Sequence, residues 1–135
     1  MKTSFATLAA LAALSTPALA LDYVCQVRDT GNGFISPVLA LQFEPGASTG
    51  AVFDIYINEV HGAPIQAKIK DRGNGKYRFT YRVNNIPARP RPARIGYRIE
   101  LDTVKNTVVV RGSMPGVTNS FNGNGTCQQG VLPRS

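Results

Sequence analysis

After residue 20, apolar and polar residues alternate with a period of two through most of the chain, and no stretch there sustains the 3.6-residue repeat of an amphipathic helix. The alternation predicts strands near 22–29, 37–44, 51–60, 65–71, 76–84, 94–102, 106–112 and 119–127. The separators carry turn chemistry: Thr30-Gly31-Asn32-Gly33, Glu44-Pro45-Gly46, His61-Gly62-Ala63-Pro64 and Arg72-Gly73-Asn74-Gly75. The chain therefore reads as all-β, a single antiparallel domain of about eight strands. Short links favour antiparallel neighbours, and closing the sheet removes exposed edges, so an up-and-down β-barrel is the expected architecture. A two-layer β-sandwich is the alternative.

The same alternation picks out the core. Leu39, Leu41 and Phe43 share one face of their strand, as do Phe53, Ile55 and Ile57 on the next. Tyr77, Phe79, Tyr81 and Val83 form a third inward row, and Ile95, Tyr97, Ile99 and Leu101 a fourth. Side chains of this size fill an eight-stranded barrel, so the rows read as packing and not as a ligand cavity.

The first twenty residues do not fit the strand pattern. Lys2, an apolar run from Phe5 to Leu14 and the small-residue pattern Ala18-x-Ala20 read as a secretory signal peptide over 1–20, leaving 21–135 as the exported domain. No later stretch is apolar for long enough to anchor in a membrane, and the residues before Cys25 do not form a lipoprotein box. Export leads to a periplasmic or extracellular compartment, where the two cysteines, Cys25 and Cys127, are expected to pair.

Charge changes the functional picture. The full chain carries a net +7, distributed unevenly. Residues 21–64 hold one base against five acids, a net −4, whereas residues 65–135 hold thirteen bases against three acids, a net +10. If Arg72-Gly73-Asn74 forms a three-residue hairpin loop, Lys70 faces Lys76 and Lys68 faces Arg78. Arg82, Arg94 and Arg98 continue that outward face, and the proline-rich loop 84–93 adds Arg89 and Arg91 at its rim. Nine cations would then gather as an anion or partner surface: Lys68, Lys70, Lys76, Arg78, Arg82, Arg89, Arg91, Arg94 and Arg98. The competing reading pairs Arg78 with Glu100 and Lys76 with Asp102, which makes an ordinary solvated sheet face.

Enzyme chemistry finds little support. His61, the only histidine, sits in a Gly-Pro turn, Asp54 has no identifiable carboxylate partner, and Ser36, Ser48, Ser113 and Ser120 lack a nucleophile-elbow context. Gly123 and Gly125 precede no helix, so they read as a bend or bulge in the last strand instead of a phosphate cradle. The usual thiolate and imidazole set for structural zinc is missing, and no cofactor is expected. Tyr77, Tyr81 and Tyr97 should face away from the bases, which disfavours stacking on nucleic acid.

Tyr23-x-Cys25, a second cysteine near the end and about eight expected strands together resemble the frame of the small periplasmic inhibitors of C-type lysozyme. The resemblance covers that frame alone: no inhibitory motif of the family falls between the cysteines, and the chain is basic where an inhibitor of a basic lysozyme should be acidic. Composition and pattern lead to an exported, non-enzymatic binding module. Its basic face would contact an anionic glycan, a lipid headgroup or an acidic protein. The alternative is an inhibitor of a secreted or envelope hydrolase, with the proline-rich arginine loop or the Ser113-Met114-Pro115 loop as the inserting element, and a small enzyme is the third reading.

Overall fold

A computed structural model describes residues 20–31, 33–118 and 120–130, so the signal-peptide reading lies almost wholly outside the described residues. Eight antiparallel strands close into a barrel in chain order: β1 Leu21–Asp29, β2 Val38–Phe43, β3 Thr49–Asp54, β4 Ile65–Gly73, β5 Lys76–Ile86, β6 Ala93–Asp102, β7 Thr107–Ser113 and β8 Ser120–Gln129. The barrel is thus the architecture, not the sandwich. Its seam is the pairing of β1 with β8, where Cys25 stands directly opposite Cys127 and the two form a disulfide.

The interior holds the expected rows. Leu39, Leu41, Phe43, Phe79, Tyr81, Val83, Ile95, Tyr97, Ile99 and Leu101 are all buried, and Phe43 meets Phe79 edge to face at 5.1 Å. Tyr77 is half-buried at the end of its row, where it still touches Phe43.

The segment 51–60 departs from the expected strand. β3 ends at Asp54, and Ile55–His61 forms a short helix, α1. The inward residues of β3 are Gly50, Val52 and Asp54, so Phe53 lies on the half-buried outer side and Ile55 is exposed. Only Ile57 of the expected triplet is fully buried, carried inward by the helix. Two caps explain the change: the Asp54 carboxylate accepts the Ile57 N–H at 2.8 Å, and Gly62 ends the helix with φ 71°, returning its N–H to the Asn58 carbonyl. Apolar alternation over three positions is compatible with either period, and the capping pair decides it.

The β4–β5 hairpin also differs from expectation. Its turn is the two-residue Asn74-Gly75, both with positive φ, as a tight hairpin turn matching the sheet twist requires. Arg72 is accommodated where the register shifts between Asp71 and Gly73. Pairing consequently moves by two residues: Lys70 faces Arg78 and Lys68 faces Thr80.

β8 runs without a register break beside both neighbours, so Gly123 and Gly125 do not mark a bulge. They are glycines because the inner side of the seam has no room. A Cβ on Gly123 would sit 2.7 Å from Ile35 Cγ2, and one on Gly125 only 1.8 Å from the Gln26 carbonyl oxygen.

Candidate functional site

Strand registers place the basic residues in transverse rows on the outer surface. The first row runs Lys68, Thr80, Arg98, Arg111, Asn122 across β4 to β8. Two residues further along, Arg82, Gly96, Ser113 and Ser120 form a second row across β5 to β8. On the other side of the first row lie Lys70, Arg78, Glu100, Val109 and Asn124.

These rows separate the nine cations into three groups. Arg78 donates Nε–H to the Glu100 carboxylate in an ion pair, with Lys70 opposite Arg78. Lys76 stands opposite Asp102, whose carboxylate accepts the Val104 and Lys105 N–H groups at 3.0 Å and closes the β6–β7 turn. The Lys105 N–H hydrogen bond is the main influence holding Asp102 below the ordinary carboxylate range. In these two places the arrangement is the charge-paired sheet face.

The second group lies at the barrel mouth. Arg89, Arg91 and Arg94 surround a depression shared with Phe34, Met114 and Pro115, between the proline-rich loop and the β7–β8 loop. Arg94 is therefore grouped with the loop arginines and not with Arg82 and Arg98.

The third group is the candidate site. Lys68, Arg82 and Arg98 line a shallow trough on the outer wall, together with Arg111, which the sequence reading did not include. One cation comes from each of the four adjacent strands β4, β5, β6 and β7. Among the described residues no acid lines this trough and none of the four forms an ion pair. Arg98 faces Arg111 directly, a like-charge pairing that destabilises a sheet by a few tenths to about 1 kcal/mol. The signal for Arg111 was present in Val108-Val109-Val110-Arg111, where Val108 and Val110 point inward and Arg111 must point out. Gly96 gives the trough its depth, since a Cβ there would meet only the Ser113 Oγ at 3.9 Å.

A separate polar cluster sits inside the barrel under α1. Asp54 is buried, and burial outweighs the hydrogen bonds from the Ile57 and Tyr56 N–H groups and the influence of Tyr81, so its pKa is raised. Tyr81 is buried beside it, and burial first, then the Asp54 charge, pushes that phenol well up. Tyr97 is also raised, by burial first and then by Asp54, while its hydroxyl donates to the Phe34 carbonyl at 2.7 Å. Ser36 donates to the Val38 carbonyl and accepts the Ile55 N–H, tying the β1–β2 loop to the start of α1. His61 is the exposed last residue of α1, remote in role from this cluster. The cluster's hydrogen bonds are those of a helix cap and a loop anchor.

Because the folded-state pKa of Asp54 lies above its ordinary value of 3.8, its favourable contribution is complete below that pH and is lost as pH rises through the folded-state pKa. Asp54→Asn retains an oxygen for the Ile57 N–H and removes the titration. Its melting temperature, relative to the unsubstituted protein, should therefore improve on going from acidic to neutral pH. Asp54→Ala should cost about 0.5–2 kcal/mol through loss of the cap. Parallel melting curves for protein and Asp54→Asn at all pH values would contradict the assignment.

Comparisons with models of protein families, with curated proteins and with solved structures find no match for this chain.

Proposed function

We propose that the chain is an exported, non-enzymatic binding module whose outer trough, lined by Lys68, Arg82, Arg98 and Arg111, takes an anionic partner. The observation that carries this reading is an acid-free cluster of four cations, one from each of four adjacent strands, beside rows in which cations are paired with acids. A like-charge pair held across β6 and β7 is relieved when carboxylate, phosphate or sulfate groups lie over it. Arginine forks suit such groups because two parallel N–H bonds reach two oxygens of one anion. The disulfide favours an oxidising compartment, consistent with the export signal read in the sequence.

Inorganic polyphosphate serves as a generic polyanion for the test. Its affinity should fall with added salt, since screening acts over about 8 Å at physiological ionic strength. Arg98→Gln with Arg111→Gln should weaken binding about tenfold or more, corresponding to ~1.4 kcal/mol. Arg72→Gln with Lys105→Gln removes the same charge outside the trough and should change affinity by less than about threefold, or ~0.7 kcal/mol. Equal losses from the two pairs would mean diffuse attraction to net charge and would eliminate the site.

The depression at the mouth favours a second reading. Arg89 and Arg91 of the proline-rich loop and Met114 and Pro115 of the β7–β8 loop border one depression with Phe34, so the two loops named as inserting elements of a hydrolase inhibitor lie side by side. In that case Arg89→Ala with Arg91→Ala abolishes inhibition while polyphosphate binding to the trough is unchanged.

A further inference from the structure

We infer that the partner of this trough is a linear acidic polysaccharide lying across the strands; the inference rests on the anion-binding reading above and specifies its ligand. Adjacent strands lie about 4.8 Å apart, so Lys68 on β4 and Arg98 on β6 are about 10 Å apart at the backbone, with Arg111 one strand further. Arg82 stands on the strand between Lys68 and Arg98, one row along. The cations thus form a narrow band running across β4 to β7, with Thr80 between Lys68 and Arg98, Arg98 and Arg111 directly opposite one another, and Arg82 one row along, suited to a narrow chain that carries recurring acidic groups.

The groups between the cations narrow the class. Thr80 lies between Lys68 and Arg98, Ser113 follows Arg111 on β7, and the Asn122 amide donates to the Ser120 Oγ. Hydroxyl and amide side chains match the alternating donors and acceptors of sugar hydroxyls. Gly96 opens the floor where a side chain would otherwise stand, so a strand of sugar rings can approach the sheet closely.

The same surface disfavours the other polyanions. Nucleic acid would stack its bases on rings, yet Tyr81 and Tyr97 are buried with their side chains inward. An extended acidic peptide gains most from a free strand edge, and the barrel is closed. A lipid surface needs a continuous apolar border, but none of the exposed large apolar residues lines the trough, and Val109, two residues from Arg111 on the outer face of β7, is a single valine in a row with Arg78, Glu100 and Asn124.

The test uses the mature protein with four probes of matched charge: an oligogalacturonate, a heparin-type oligosaccharide, inorganic polyphosphate and oligoglutamate. At least one oligosaccharide should bind about tenfold more tightly than polyphosphate and oligoglutamate, a difference of ~1.4 kcal/mol. Preference for the first identifies carboxylates as the recognised groups, and preference for the second identifies sulfates. Gly96→Ile changes no charge, and its Cβ would meet only the Ser113 Oγ, at 3.9 Å. It should leave the melting temperature within a few degrees while lowering oligosaccharide affinity about tenfold and polyphosphate affinity less than about threefold. Ser113→Ala with Asn122→Ala should act in the same selective sense.

Equal affinity for all four probes would overturn the polysaccharide assignment and leave the anion trough standing. The same follows if Gly96→Ile has no effect on the oligosaccharides. If Arg98→Gln with Arg111→Gln leaves every probe unaffected, both the polysaccharide and the trough are wrong.

Discussion

Gly125→Ala is expected to destabilise the barrel by about 3 kcal/mol or more, beyond the usual cost of adding a methylene to a packed core. The obstacle is backbone: the new Cβ would lie 1.8 Å from the Gln26 carbonyl oxygen and 2.9 Å from the Val27 Cα. No rotamer change relieves such a clash, so β1 and β8 must separate where Val27 faces Gly125. Gly96→Ala provides the internal comparison. It adds the same atom on a strand where the nearest neighbour is the Ser113 Oγ at 3.9 Å, and should shift stability by no more than about 1 kcal/mol, in either direction. Chemical denaturation of both variants measures the difference, and coincident midpoints would show that the seam is looser than described.

The second large effect belongs to the disulfide. Replacing both Cys25 and Cys127 by alanine should cost about 4–5 kcal/mol by loop-closure entropy, for a crosslink spanning 102 residues. Set against a typical domain stability of about 5–15 kcal/mol, that loss leaves the fold marginal or unfolded. Reducing the unsubstituted protein should lower its unfolding free energy by a similar amount, read as a lower denaturation midpoint. A midpoint unchanged by reductant, with both thiols accessible to alkylation, would show that the bridge contributes nothing.

The fold was largely legible because its strands obey period-two burial with little interruption. β6 illustrates this, with Ala93, Ile95, Tyr97, Ile99 and Leu101 buried and the intervening residues outward. Where the reading failed, local backbone chemistry outranked the apolar pattern. Asp54 and Gly62 cap a helix inside what alternation alone presents as a strand. The two-residue Asn74-Gly75 turn sets the hairpin register, which a three-residue loop would have placed two residues away.

The candidate site was only partly legible for a related reason. Which face a cation occupies follows from parity along its own strand, and that was available for Lys68, Arg82 and Arg98. Which cations become neighbours depends on registers between strands. The β6–β7 register brings Arg111 opposite Arg98, while the β5–β6 register commits Arg78 to Glu100. Arg94 has outward parity too, but its position at the start of β6 puts it at the mouth beside Arg89 and Arg91.

Seven of the eight strand pairings join neighbours in sequence, and only the β1–β8 pairing is remote. Opening any barrel of this kind along one pairing turns it into a curled sheet with two unprotected edges, each offering a row of N–H and C=O groups to another molecule. The remote pairing is where separating strands are not held together by a short connection. Cys25 and Cys127 lie within that pairing, between Tyr23 opposite Gln129 at one end and Asp29 opposite Gly123 at the other. Partial fraying from either end is therefore halted at the crosslink, so the bridge also protects against self-association during local opening, independently of what it adds to global stability.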